Sequence, residues 1–144
     1  MMLPPEFLER IERQSYIDAR SLADALGGPS GASVRINRQK WPHPVSGYET
    51  VEWEPDGFYL RGRPLFTSDP LFHAGVYYPQ ESSGMFTGEM FRQLTAGQGS
   101  LRVLDLCGAP GGKSTHLASL LGDSGLLVAN EVIRSRAAIL SENV

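Results

Sequence analysis

"LRVLDLCGAPGGKSTHLASLL", residues Leu101–Leu121, changes the pattern of this chain. Leu101–Leu106 reads as a short apolar strand, a glycine-rich turn follows, and a helix is predicted over Gly112–Leu121. Gly122-Asp123-Ser124-Gly125 stops that helix. "LLVAN", Leu126–Asn130, reads as a second buried strand, and Glu131–Asn143 as a further helix. Strand, glycine turn, helix, strand, helix is the opening of a parallel, Rossmann-like α/β sheet. Two strands do not make a stable doubly wound sheet. The expectation is therefore a truncated sheet, whose remaining strands come from beyond Val144 or from elsewhere.

In such a sheet the ligand lies at the carboxyl ends of the strands, beside the first turn. Gly108, Gly111 and Gly112 let backbone approach a ligand closely. Pro110 fixes one φ and removes one N–H. The helix that follows offers its first amides to an anion. Lys113 falls in the first helical turn, where a cation opposes the helix dipole unless an anionic group sits nearby. Glu131 follows the second strand, 26 residues after Asp105. An acid about 20 residues past the glycine turn accepts bonds from ribose hydroxyls in dinucleotide folds. A site for a ribose and an anion suits ATP, NAD or S-adenosylmethionine. The P-loop spacing is broken, because Cys107 stands where its first glycine belongs. The dinucleotide spacing is absent as well. S-adenosylmethionine remains, with its carboxylate as the anion.

Upstream, helices are predicted over Glu6–Gln14 and Asp18–Leu26, ended by Gly27-Gly28-Pro29. "SVRIN", Ser33–Asn37, reads as a strand with Val34 and Ile36 on one face and Arg35 and Asn37 on the other. Glu49–Trp53 and Phe58–Arg61 read as strands around a turn at Pro55-Asp56-Gly57. Tyr77–Gln80 reads as a short extended piece. Glu81–Leu94 reads as a helix with Met85, Phe86, Met90 and Leu94 as its buried stripe. The expected division is a small α+β domain over 1–72 and the front of the Rossmann-like domain over 73–144.

The 144 residues carry a net charge of −3, so any nucleic-acid surface must be local. Cys107 is the single cysteine, which excludes an internal disulfide and fits a reducing cytoplasm. His43, His73 and His116 are scattered, so no zinc spacing exists and no metal is expected. No stretch approaches the roughly 20 apolar residues of a membrane span. Arg35, Arg38, Lys40, Arg61 and Arg63 lie among aromatic residues and could meet phosphates, although Glu49, Glu52, Glu54 and Asp56 are interleaved.

"DLCGAPGGKSTHLA" followed by "LLVANEVIRSRA" resembles the cofactor motifs of the Nop/Sun family of RNA cytosine-5 methyltransferases. "SVRIN" resembles that family's Arg-x-Asn strand, and "GVYYPQESSGMF", Gly75–Phe86, its Tyr-x-Gln-Glu-x-Ser element. The resemblance implies that Cys107, Gly108, Ala109, Pro110, Gly111, Gly112 and Lys113 wrap the methionine part of S-adenosylmethionine. It implies that Glu131 binds the ribose, that Arg136 lies at the cofactor edge, and that Gln80 and Glu81 lie beside the pocket. Arg35, Asn37, Arg38 and Lys40 would face RNA, ribosomal RNA in the first instance. The family's nucleophilic cysteine is expected beyond residue 144, so no catalytic residue is assigned and the chain alone is expected to be inactive. Cys107 reads as a small side chain at a strand end. The alternative is a non-catalytic RNA- or ribosome-binding module with a remnant cofactor turn. A P-loop nucleotidase would need ATP binding against the spacing.

Overall fold

The computed structural model describes residues 3–29 and 31–144. Two compact units divide the chain, 1–30 and 31–144. In the first unit, α1 (Pro5–Glu12) begins with a proline whose fixed φ suits the first helical position. α2 (Ala19–Gly27) is capped by Asp18, whose Oδ1 accepts from the amides of Arg20 and Ser21 at 3.1 Å each. Those bonds hold the Asp18 carboxyl below its ordinary value of 3.8.

The second unit opens with an antiparallel sheet in the order β2-β3-β1-β4. Its strands are β1 (Ala32–Ile36), β2 (Glu49–Val51), β3 (Glu54–Leu60) and β4 (Tyr77–Pro79). Arg35 stands opposite Gly57 on β3 and Tyr78 on β4. Pro79 is tolerated because β4 is an edge strand, where a missing N–H costs no ladder bond. The expected division after residue 72 falls inside this unit, since β4 is hydrogen-bonded to β1. A 3₁₀ turn (Phe66–Ser68) and the short α3 (Pro70–His73) fill the stretch before β4.

The turn expected at Pro55-Asp56-Gly57 is corrected. β3 runs through all three residues, and the hairpin turns at Glu52-Trp53 instead. Gly57 serves a close approach: a Cβ there would stand 2.6 Å from Met85 Sδ and 3.0 Å from Val51 Cβ. Trp53 is held in the turn by its Nε1, which donates to the Ser82 carbonyl at 2.7 Å.

α4 (Ser82–Thr95) packs on the sheet and on α5 (Gly112–Leu121). Its expected apolar stripe is also corrected. Met85 is fully buried, but Phe86, Met90 and Leu94 are 47%, 46% and 77% exposed. The inward face runs through Met85, Gly88 and Arg92. Gly88 admits the ring of His116 from α5, where a Cβ would meet Cε1 at 2.2 Å. Arg92 reaches Glu54 Oε2 at 3.0 Å and the Trp53 carbonyl at 2.7 Å. A face made of a glycine and a paired arginine carries no hydrophobic signal.

β5 (Arg102–Asp105) and β6 (Leu126–Ala129) form the expected parallel pair, joined by α5. β6 is not a buried strand among the described residues. Leu126 and Val128 are 53% and 51% exposed, as is Leu104 opposite them at 58%. α5 packs against β6, and Val103 and Leu127 are half-buried while these three lie on the open face. The last helix, α6, starts at Arg134 and runs to Asn143, three residues later than expected. Glu131 is thereby left outside it, just before the bend at Val132 and Ile133.

Candidate cofactor site

The glycine turn starts where β5 ends. Asp105 Oδ2 accepts from Ser114 Oγ at 2.7 Å, tying the strand end to the first turn of α5. Ser114 is fully buried. Asp105 Oδ1 accepts from the Cys107 amide at 3.3 Å. The Gly108 amide donates to the Asn130 carbonyl at 2.9 Å, and the Asn130 amide donates to the Asp105 carbonyl at 2.8 Å. The ends of the two parallel strands and the turn are thus one hydrogen-bonded piece.

Two glycines in the turn are required by geometry. Gly111, the N-cap of α5, has φ 119°, a region that L side chains rarely adopt. A Cβ on Gly108 would stand 2.6 Å from Ser114 Oγ and 3.3 Å from Leu140 Cδ2. An alanine at position 108 would therefore disturb the Ser114–Asp105 bond. Gly112 rests against the Tyr78 ring, 3.1 Å from where its Cβ would be. The Ala109–Pro110 peptide is cis.

α6 braces the turn from the other side. Arg136 Nη2 donates to the Ala109 carbonyl at 2.7 Å, and Asn143 Nδ2 donates to the Pro110 carbonyl at 2.7 Å. Arg136 Nη1 also stands 3.6 Å from Glu131 Oε2. The Glu131 side chain is only 3% exposed. Its Oε1 accepts from the Ile133 amide at 3.0 Å, while Oε2 is buried with no hydrogen-bond partner. Lys113 is exposed and, among the described residues, forms no ion pair. No side chain caps α5, so its first amides remain free to meet an anion. Cys107 is exposed with a free thiol.

The structure brings together the turn residues, Lys113, Glu131 and Arg136. Of the four expected RNA-facing residues, Arg35 is buried, Asn37 and Arg38 are half-buried and Lys40 is exposed. Arg35 is 4% exposed. Its Nε donates to Gln80 Oε1 at 3.0 Å and its Nη2 to Thr115 Oγ1 at 2.9 Å. The Gly112 carbonyl lies 3.5 Å from the same nitrogen. Burial lowers the guanidinium from 12.5 to about 10, against the opposing fields of Glu54, Asp56 and Tyr78. Arg38 pairs with Asp56 and donates to the His43 carbonyl at 2.8 Å. Lys40 Nζ donates to the Ala74 carbonyl at 2.7 Å, and Asn37 Oδ1 accepts from the Gln39 amide at 3.1 Å. Arg35 and Arg38 are thus held by the fold, whereas Lys40 stays exposed with a bond to a single carbonyl. Gln80 takes part through Arg35, and Glu81 is the exposed N-cap of α4.

Sequence reasoning passed over Ser114, Asn130, Asn143 and the buried group of Glu54, His116 and Arg92. Glu54 and His116 are 2% and 1% exposed, with His116 Nε2 2.8 Å from Glu54 Oε2 but off the line of a hydrogen bond. A serine nine residues after a strand-end aspartate was the available signal for Ser114. Nothing local marks the others. Among the described residues no cluster of three metal-ligating side chains occurs, and no helix is long and apolar enough to cross a membrane.

A parallel pair, a braced glycine turn and an acid at the second strand's end define the opening of a Rossmann-like methyltransferase domain behind a small sheet. Comparison with known proteins agrees. The profile of the N-terminal domain of 16S rRNA methyltransferase RsmF matches residues 3–82, and that of 16S rRNA methyltransferase RsmB/F matches residues 93–144. The chain belongs to the RsmF family. The ribosomal RNA small subunit methyltransferase F of Shewanella denitrificans is 31% identical over 164 residues, covering 100% of this chain and 32% of the relative. That of Serratia proteamaculans is 33% identical over 159 residues, covering 100% and 33%. The chain thus spans about a third of the length of these relatives. A solved methyltransferase homolog from Pyrococcus horikoshii superposes with a TM-score of 0.65 at 26% identity, over 98% of this chain and 54% of its own. The fold of PH0851 superposes with a TM-score of 0.80 at 23% identity, over 98% and 33%.

Proposed function

We propose that the protein is an S-adenosylmethionine-dependent RNA methyltransferase that forms 5-methylcytosine in small-subunit ribosomal RNA, and that residues 1–144 supply its cofactor turn. The observation that carries this is the turn itself, in a chain whose relatives are named as small-subunit ribosomal RNA methyltransferases. Its residues fit the cofactor. Gly108 and Gly111 leave the backbone bare, and the buried Glu131 Oε2 lacks a partner that a ribose hydroxyl would supply. Cys107 through Lys113 would hold the methionine part, with Lys113 and the first amides of α5 on its carboxylate. Arg136 holds both the turn and Glu131. When bound, the cofactor supplies an electrophilic methyl group. The thiolate that activates cytosine is assigned to residues past 144, and Cys107 to the turn. We assign the protein to the cytoplasm, where ribosomal RNA is found, and require no metal.

The test is transfer of labelled methyl from S-adenosylmethionine to small-subunit ribosomal RNA by the product of the intact gene, with nucleoside analysis of the RNA. Labelled 5-methylcytidine supports the reading. Cofactor-independent RNA binding without transfer would favour a binding module instead.

A further inference from the structure

Arg35 is buried and Arg38 is paired with Asp56, so neither offers a free guanidinium to RNA. Arg61 and Arg63 follow β3, and both are exposed. Among the described residues neither forms an ion pair. They line an open groove of about 700 Å³ with Tyr48, Leu60 and the backbone of Gly47 and Gly62. Tyr48 is 51% exposed, so its ring is available to a flat partner. No carboxylate lines the groove, although Glu49 is next in the chain. Gly47 and Gly62 have nothing within 4 Å of a Cβ position, which leaves the floor open. In a chain of net charge −3, two guanidinium groups without an ion pair here flank a half-exposed aromatic ring.

We propose that this groove binds an unpaired RNA segment, with Arg61 and Arg63 on consecutive phosphates and a base stacked on Tyr48. The inference rests on the reading of the protein as an RNA methyltransferase. Arginine forks match phosphate geometry, and an exposed tyrosine is a stacking platform for an unpaired base but not for a base within a duplex.

The experiment measures binding of a labelled unpaired oligoribonucleotide, and of a duplex of equal length, against salt concentration. It uses the intact gene product and its R61Q/R63Q and Y48A variants. All three positions are exposed, and an unchanged melting temperature confirms each fold. Loss of two phosphate contacts lowers the log–log salt slope for the single strand by about 1.4. Y48A weakens the single strand about tenfold and leaves the duplex unchanged. Wild-type binding with an unaltered slope and affinity in the variants overturns the groove assignment alone. Absence of RNA binding by the wild type overturns both the groove and the methyltransferase reading. Equal weakening of single strand and duplex by Y48A overturns the stacking assignment.

Discussion

Arg35 on β1 donates from Nη2 to Thr115 Oγ1 on α5 at 2.9 Å, across 80 residues of sequence. The bond ties the small sheet to the helix that follows the glycine turn. Replacing Arg35 by methionine leaves Gln80 and Thr115 without their donor in a buried site. A cost of about 2–4 kcal/mol follows, since bonds to a charged group are worth more than neutral ones. Lysine recovers only part, because it lacks the planar fork. Urea unfolding reads the loss. Salt-dependent RNA binding by folded Arg35→Lys protein keeps the wild-type slope, which separates a strut from a phosphate contact.

Gly88→Ala and Gly84→Ala test the α4–α5 contact as a pair. Alanine gains up to about 1 kcal/mol in a helix. At Gly84 the nearest atom to a Cβ is Gln80 Nε2 at 3.7 Å, so the gain stands and the melting temperature rises. At Gly88 the His116 ring would be 2.2 Å away, and overpacking of about 1–3 kcal/mol or more outweighs the gain. The melting temperature falls.

Glu54 makes stability depend on pH. Burial alone would push its carboxyl up, but contact with His116 and Arg92 outweighs this and leaves it below the ordinary 4.5. Such a group adds stability that is present above pH 4.5 and is lost as pH falls through the lower folded value. Urea midpoints collected from neutral pH downward therefore drop in that window. Glu54→Gln costs about 3 kcal/mol at neutral pH, the low end for a buried pair, because Arg92 stays 29% exposed. It also flattens the acid limb.

Lys113→Ala and Glu131→Ala each weaken S-adenosylmethionine about 10- to 100-fold by calorimetry, the worth of one charged hydrogen bond. Lys113→Ala leaves the melting temperature unchanged, because the side chain is exposed. Full affinity in both variants would remove the site.

Cys107→Ser leaves methyl transfer within about twofold, the thiol being an exposed turn group rather than the nucleophile. A loss of about a thousandfold would put the nucleophile in this turn.

The parallel pair, the turn and α5 were legible because glycines and alternating apolar runs are local signals. The helix limits Gly112–Leu121 agree residue for residue. The inward face of α4 was not legible, since Gly88 and Arg92 carry meaning only once His116 and Glu54 face them. Gly57 misled for the same reason: a glycine beside proline and aspartate signals a turn, yet here it makes room for Met85. The turn residues and Glu131 were legible as candidates, because a glycine turn and an acid after the second strand are local signals. The destination of Arg35 was not, because alternation along a strand cannot say whether a charged face meets water or a helix.

The long reach of Arg35 also orders events during synthesis. Its strand leaves the ribosome 80 residues ahead of Thr115. At about 5–20 residues per second that interval is roughly 4–16 s. For that time the nascent sheet holds a hydrated charge where the finished protein has a dry one. The small sheet therefore cannot reach its final form ahead of α5, and the two mature together.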